Sequence, residues 1–254
     1  DKIISEKRKA DIVVASNVFA HLDEYHEIIE NVKSLLSEDG TYIIEVQYFA
    51  DMINDMTFDN IYHEHVMYYT IHSLINLFNK HEMNVYRVEK IPTHGGSIRV
   101  YISEEIEIQQ SVIELINEER KNGIDKLQTM EKFNDKLQNN INEIRELFER
   151  LNKENKKIFG YGAPAKSSTM INSIGLTNEN IELIIEDSPL KQGLFTPGSH
   201  IPIIGPEILE KETPEYLMIF AWNYADEIIK KVEEKYSKMN YIIPMPELRI
   251  IQNK

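Results

Sequence analysis

The chain contains no cysteine. Disulfides and thiolate metal sites are excluded, and the simplest compartment for such a protein is the cytoplasm. Basic residues are scarce, with 28 Lys and Arg against 42 Asp and Glu and a net charge of −14. A general nucleic-acid binder needs basic surface to neutralise phosphates, so that class is excluded. One small phosphorylated ligand held locally is still allowed. No apolar run approaches the roughly 20 residues that cross a bilayer. The start, Asp1 to Arg8, is charged and lacks the apolar core of a signal peptide. It also lacks an initiating Met, which gives the expectation of a fragment or a processed product.

What remains is ordinary globular material, 42% hydrophobic and 28% charged. Its length suits one large or two medium domains. Composition divides it into three zones, 1–103, 104–155 and 156–254. In the first, Ile12 to Ala15 reads as a buried strand. Asp23 reads as the cap of a helix through Ile28, Ile29, Val32 and Leu36, with Gly40 past its end. Tyr42 to Val46 reads as a second buried strand, and Thr70 as the cap of a helix through Leu74, Leu77 and Phe78. Val85–Val88 and Ser97–Tyr101 alternate as strands do. Such alternation predicts an α/β fold with a parallel sheet. The second zone is a helical connector in which Leu137, Ile141, Ile144, Phe148 and Leu151 form one stripe. The stripe packs on a neighbouring element or, alternatively, serves a coiled-coil partner. The third zone repeats the strand–helix pattern as a second, smaller Rossmann-like unit.

Two places carry chemistry. Tyr62, His63, Glu64 and His65 put a phenol, two imidazoles and a carboxylate in one short stretch. Each can move a proton near neutral pH or sit beside a group that does. The alternatives are hydrogen-bonded loop residues, or a metal site in which His63 and His65 share a strand face and His21 or His26 completes the set. His72, His81, His94 and His200 read as surface or loop histidines. The second place is the strand–turn–helix at Gly160-Tyr161-Gly162-Ala163-Pro164-Ala165-Lys166. Glycines there admit a ligand to the backbone, and helix-start amides attract phosphate. Lys166 adds a positive charge, and Asp187 at the next strand end sits where ribose-binding carboxylates often do. Asn223 and Tyr224 follow another strand end and can open onto the same crevice. The G-x-G-x-x-G pattern is incomplete, since Ala165 stands at the third glycine, and such turns also serve only to tighten strand–helix packing. Trp222 reads as core packing.

These residues carry a resemblance. Ser16 to His21, then Phe58-Asp59, Ile61-Tyr62, Glu64-His65 and Tyr68, then Gly95-Gly96-Ser97 and Arg99, then Gly160 to Lys166 follow in order. Asp187, Pro189, Lys191-Gln192-Gly193 and Pro197-Gly198, and finally Ala221 to Tyr224, complete the series. The chain resembles the S-adenosylmethionine-dependent sugar C-methyltransferases that act at C-3 of TDP-4-keto-deoxyhexoses. The resemblance implies the C-terminal half of a Rossmann-like methyltransferase domain over 1–103, the connector, and a nucleotide-sugar-binding domain over 156–254. It also implies a zinc-binding segment and the main S-adenosylmethionine loop in sequence outside this chain. His65 becomes the expected base, with Tyr62, Glu64 and His21 as its catalytic companions. Ala15, Asn17 and Phe19 are expected near the cofactor. Gly96, Ser97, Arg99, Gly160, Tyr161, Gly162, Ala163, Lys166, Asp187, Lys191, Asn223 and Tyr224 are expected around the nucleotide sugar, in a site between the two α/β units. No metal is expected in this chain, and neither a nucleic-acid nor a membrane partner. A nucleotide-sugar-binding fragment without catalysis, or a nicotinamide-dependent oxidoreductase built on the Gly160 loop, are the other readings.

Overall fold

The structure, a computed structural model, describes residues 8–236 and 238–253, without the side chain of His94. The expectations for residues 1–7 and for His94 lie outside the described residues. The chain forms two compact units: residues 1–55 with 63–131, and residues 56–62 with 132–254.

The first unit holds β1 (Ala10–Ser16), α1 (Tyr25–Leu35), β2 (Leu36–Gln47), α2 (Phe49–Asn54), α3 (Ile71–Asn79), β3 (Asn84–Ile91), β4 (Ser97–Ser103) and α4 (Gln110–Asn122). Its sheet runs β1-β2-β4-β3. Only β1 and β2 are parallel; β4 is antiparallel to both of its neighbours, so the sheet is mixed where an all-parallel one was expected. The short connection from β3 to β4 is the physical reason, because a parallel return needs a crossover of a dozen or more residues. β1 is an edge strand. Ile12 and Val14 are 62% and 63% exposed, which corrects the expectation of a buried strand. The helix after it ends before Gly40, and Leu36 already opens β2. Its N-cap is Glu24, not Asp23. Thr70 does cap α3, in a reciprocal box with Ser73. The carboxylate of Glu119, from α4, also accepts from the amides of Ile71 (2.6 Å) and His72 (3.2 Å) and from the hydroxyl of Tyr48 (3.0 Å). A negative charge at a helix start is favourable, and here it satisfies amides the helix leaves unpaired.

The second unit holds most of α5 (Leu127–Lys153), then β5 (Ile158–Tyr161), α6 (Ala165–Ile174), β6 (Ile184–Ile185), β7 (Ile203–Ile204), β8 (Tyr216–Ile219), α7 (Ala225–Lys235), β9 (Asn240–Ile243) and β10 (Arg249–Ile251). The sheet order is β10-β9-β8-β5-β6-β7, parallel throughout except for β10. The chain steps from β5 outward through β6 to β7, then returns to place β8 on the other side of β5. That reversal is a topological switch point, and in open α/β sheets ligands bind outside the strand ends there. The stripe of α5 is buried inside this unit: Ile141, Ile144, Phe148 and Leu151 share a core with Ile158 and Ile171. It therefore packs on its own unit, which answers the coiled-coil alternative. Met56 and Phe58 enter the same core, which is why the short strip 56–62 belongs to the second unit.

Candidate active site

Within the first unit, a short 3-10 turn, Phe19–His21, follows β1. Phe19 is fully buried and packs its ring against Tyr42, Tyr69 and Phe78, with centroids 5.6–6.3 Å away. Burial pushes the hydroxyl of Tyr42 up to about 12, so this wall stays neutral. The turn then throws His21 outward. Its Nδ1 lies 2.6 Å from the main-chain oxygen of Glu64, and its ring lies 5.0 Å from that of His65. A carbonyl oxygen only accepts, so His21 carries a proton on Nδ1 and donates it there. His65 also stands edge-on to Tyr68, at 6.3 Å. It is the carbonyl of Glu64, not its exposed carboxylate, that holds His21. His63 is exposed. Among the described residues no grouping of His, Asp and Glu could hold a metal ion. Tyr62 closes the strip that belongs to the second unit, whereas His63, Glu64 and His65 belong to the first.

The Gly95–Arg99 turn is also in the first unit. Gly96 has φ 110°, and a Cβ there would fall 2.6 Å from that of Asp51, so only glycine fits. Ser97 is fully buried and donates to Thr93 O at 3.1 Å. Arg99 donates to Glu45 at 3.0 Å, and Glu89 is 3.9 Å away. Its charge is already matched within the sheet.

In the second unit the loop after β5 lies at the switch point. Gly160 is a packing glycine: a Cβ there would fall 2.7 Å from the Phe220 ring and 2.9 Å from Ile184. Gly160→Ala is expected to cost about 1–3 kcal/mol through overpacking. Urea unfolding checks this, and a midpoint unchanged from the parent would refute the close contact. Gly162 has φ 87° and turns the chain, donating to Ile185 O at 2.7 Å. The Ala163 amide, a candidate phosphate donor, is bonded at 2.8 Å to the carboxylate of Glu186. Lys191 donates to the Ala163 carbonyl at 2.7 Å. Asp187 instead accepts from Tyr161 Oη (3.1 Å) and Lys231 (2.6 Å). The carboxylate at the glycine loop is therefore Glu186, one position before the residue that sequence reasoning selected. Strand parity is the signal: adjacent residues leave a strand on opposite sides. Lys166 sits on the first turn of α6; burial pulls its ammonium below the usual lysine range, and the carboxylate of Asp59 opposes that. Asn223 and Tyr224 are exposed in the turn after β8. Trp222 is half-buried and packs against the edge of the core, and it also donates from Nε1 to Asp59 at 2.9 Å, a bond the sequence did not reveal.

Residues 92–246 match the family described as "C-methyltransferase C-terminal domain", and residues 1–88 match "Methyltransferase domain". The chain belongs to the C-methyltransferase family. It is 36% identical over 255 residues to C-methyltransferase NovU of Streptomyces niveus, covering 99% of this chain and 61% of that relative. A C-methyltransferase of the matched kind implies S-adenosylmethionine as methyl donor, and the end of β1 tests the fit. Asn17 is exposed in the left-handed region (φ 54°) and is tied through its amide to Glu45 O at 2.9 Å, leaving its side chain for a ligand. The side chain of Asn17 is open to such a group, whereas Ala15 packs against the core of the unit and the ring of Phe19 lies within it. Among the described residues no helix is long and apolar enough to cross a membrane. His81, expected as a surface or loop histidine, lies in the turn after α3 but is buried at 8% exposure; it bonds Glu30 at 2.5 Å and His26 at 2.7 Å and ties α1 to that turn.

Proposed function

We propose that the intact protein C-methylates a keto nucleotide sugar, TDP-linked, through an enolate. The observation that carries this reading is the pair of imidazoles, His21 and His65, held side by side with one tautomer set by the Glu64 carbonyl. Carbon must become electron-rich before it accepts a methyl group, and a neighbouring ketone makes its C–H only weakly acidic. A positioned base is needed. His65 removes the proton. His21, with Nδ1–H occupied, offers Nε2 as the next station for that proton and suits a relay. The developing oxyanion needs a hydrogen-bond donor, the role proposed for Tyr62 and His21. When bound, S-adenosylmethionine supplies an electrophilic methyl group.

The second unit is the proposed holder of the nucleotide sugar, at the switch point formed by the loops after β5 and β8. Lys166, Lys191 and the amides at the start of α6 suit diphosphate. The Glu186 carboxylate suits sugar or ribose hydroxyls, since its bond to Ala163 leaves no room for an anion at that amide. Titrating the chain with TDP while following the emission of its sole tryptophan, Trp222, is expected to give saturable binding. No response up to about 1 mM, the weak end of ordinary ligand affinity, would refute this placement. Saturable binding of NAD in place of TDP would favour an oxidoreductase.

A further inference from the structure

We propose that Trp222 is a positioning residue for Tyr62: through Asp59 it fixes the strip that presents the phenol. The inference rests on the reading that Tyr62 donates to the enolate oxygen.

Tyr62 is half-buried and ends the strip 56–62, which belongs to the second unit. Burial anchors the start of the strip, because Met56 and Phe58 lie in the core. Burial does not reach its far end, where Ile61 is 45% exposed. Polar bonds hold the chain there. Within the strip, the amide of Asn60 donates to Thr57 O at 3.1 Å and that of Ile61 to Phe58 O at 2.8 Å, so residues 57–61 form one turn. From outside it, Thr169 on α6 donates to Ile61 O at 3.3 Å, and Trp222 donates from Nε1 to Asp59 Oδ2 at 2.9 Å. The bond to Asp59 is the shorter and the better shielded, since Asp59 is only 1% exposed.

The indole is held in place for this bond. Its ring packs at the edges of two apolar clusters of the unit. Phenylalanine would fill such an edge without a donor, so the sole tryptophan of the chain supplies a bond as well as a surface. A carboxyl oxygen accepts from an indole N–H whether or not the group is ionised, so the tie needs no charge on Asp59. Among the described residues the other oxygen, Oδ1, is buried and accepts no bond, which leaves the indole to set how the carboxyl group turns. A donor to a developing oxyanion must stay within about 0.5 Å of its productive place. Tyr62 follows directly on the turn that these bonds hold. Trp222 also opens the turn that carries Asn223 and Tyr224, so support of the sugar loop is the competing role.

The test is a double-mutant cycle in the intact protein, assayed with a TDP-4-keto-deoxyhexose and S-adenosylmethionine. Tyr62→Phe is expected to lower kcat about 100-fold, the usual cost of removing one oxyanion donor. Trp222→Phe keeps a ring but loses the N–H; it is expected to lower kcat about tenfold with TDP affinity within about twofold of the parent. In the Tyr62→Phe background the same change is expected to cost less than about twofold, because a residue that acts through Tyr62 then has nothing to position. A loss of equal size in both backgrounds would overturn the proposal, as would a loss carried by TDP affinity. Amide hydrogen exchange gives a second readout, independent of turnover. In Trp222→Phe the amides of Ile61 and Tyr62 are expected to exchange about tenfold faster, with the rest of the unit unchanged. Exchange at the parent rate would overturn the proposal, and so would exchange quickened throughout the unit, the mark of a packing residue. A Tyr62→Phe protein that turns over like the parent would mean that the donor role of Tyr62 has failed. Amide exchange then still decides whether Trp222 holds the strip.

Discussion

Replacing His65 by Asn is expected to lower kcat for methyl transfer by the intact protein at least about 100-fold, the lower end of what a positioned general base contributes. TDP-sugar affinity is expected to stay within about twofold, because the removed group acts on the reacting carbon and not on the nucleotide. Asn keeps a polar side chain of similar reach but cannot take up a proton at neutral pH. His21→Asn gives a useful contrast. His21 is held by the Glu64 carbonyl and serves as the second station, so its loss is expected to cost less than the loss of His65. Steady-state assays of both variants decide the order. A His21 variant more damaged than the His65 variant would exchange the two roles.

Phe19→Ala is expected to destabilise the first unit by about 3–5 kcal/mol, the usual cost of emptying a buried aromatic site. The ring is stacked on Phe78 at 5.9 Å and meets Tyr42 edge-on at 6.3 Å, so its removal opens a cavity that three rigid rings cannot close. Domains are stable by only some 5–15 kcal/mol, so much of that margin disappears. Urea unfolding measures the effect. A variant of near-parent stability with weakened S-adenosylmethionine binding would instead return Phe19 to the cofactor.

Local features were legible in the sequence. Thr70 announces its helix because a side-chain oxygen before an apolar periodic run has one good use, and the stripe from Leu137 to Leu151 could bury itself only on one face. The glycine turn at Gly160 was legible as a turn. That Gly160 itself packs against Phe220, while Gly162 makes the bend, depends on the neighbouring strands and is invisible locally. Ile12 and Val14 have the composition of a covered strand, and nothing local marks β1 as an edge. His81 shows how far burial escapes composition: its partners, Glu30 and His26, lie about fifty residues away. The strip at 56–62 was the largest omission. Its residues were recognised as one motif with His65, but the bond from Trp222 to Asp59 spans 163 positions, and no local pattern encodes which unit a loop joins.

The most direct test of the enolate reading is exchange of the proton it requires. The intact protein, incubated with a TDP-4-keto-deoxyhexose in deuterium oxide without methyl donor, is expected to wash deuterium into the carbon next to the ketone, as read by proton NMR, and His65→Asn is expected to stop it. A parent protein that binds the sugar without exchanging that proton, or a His65 variant that exchanges it at the parent rate, would contradict the account.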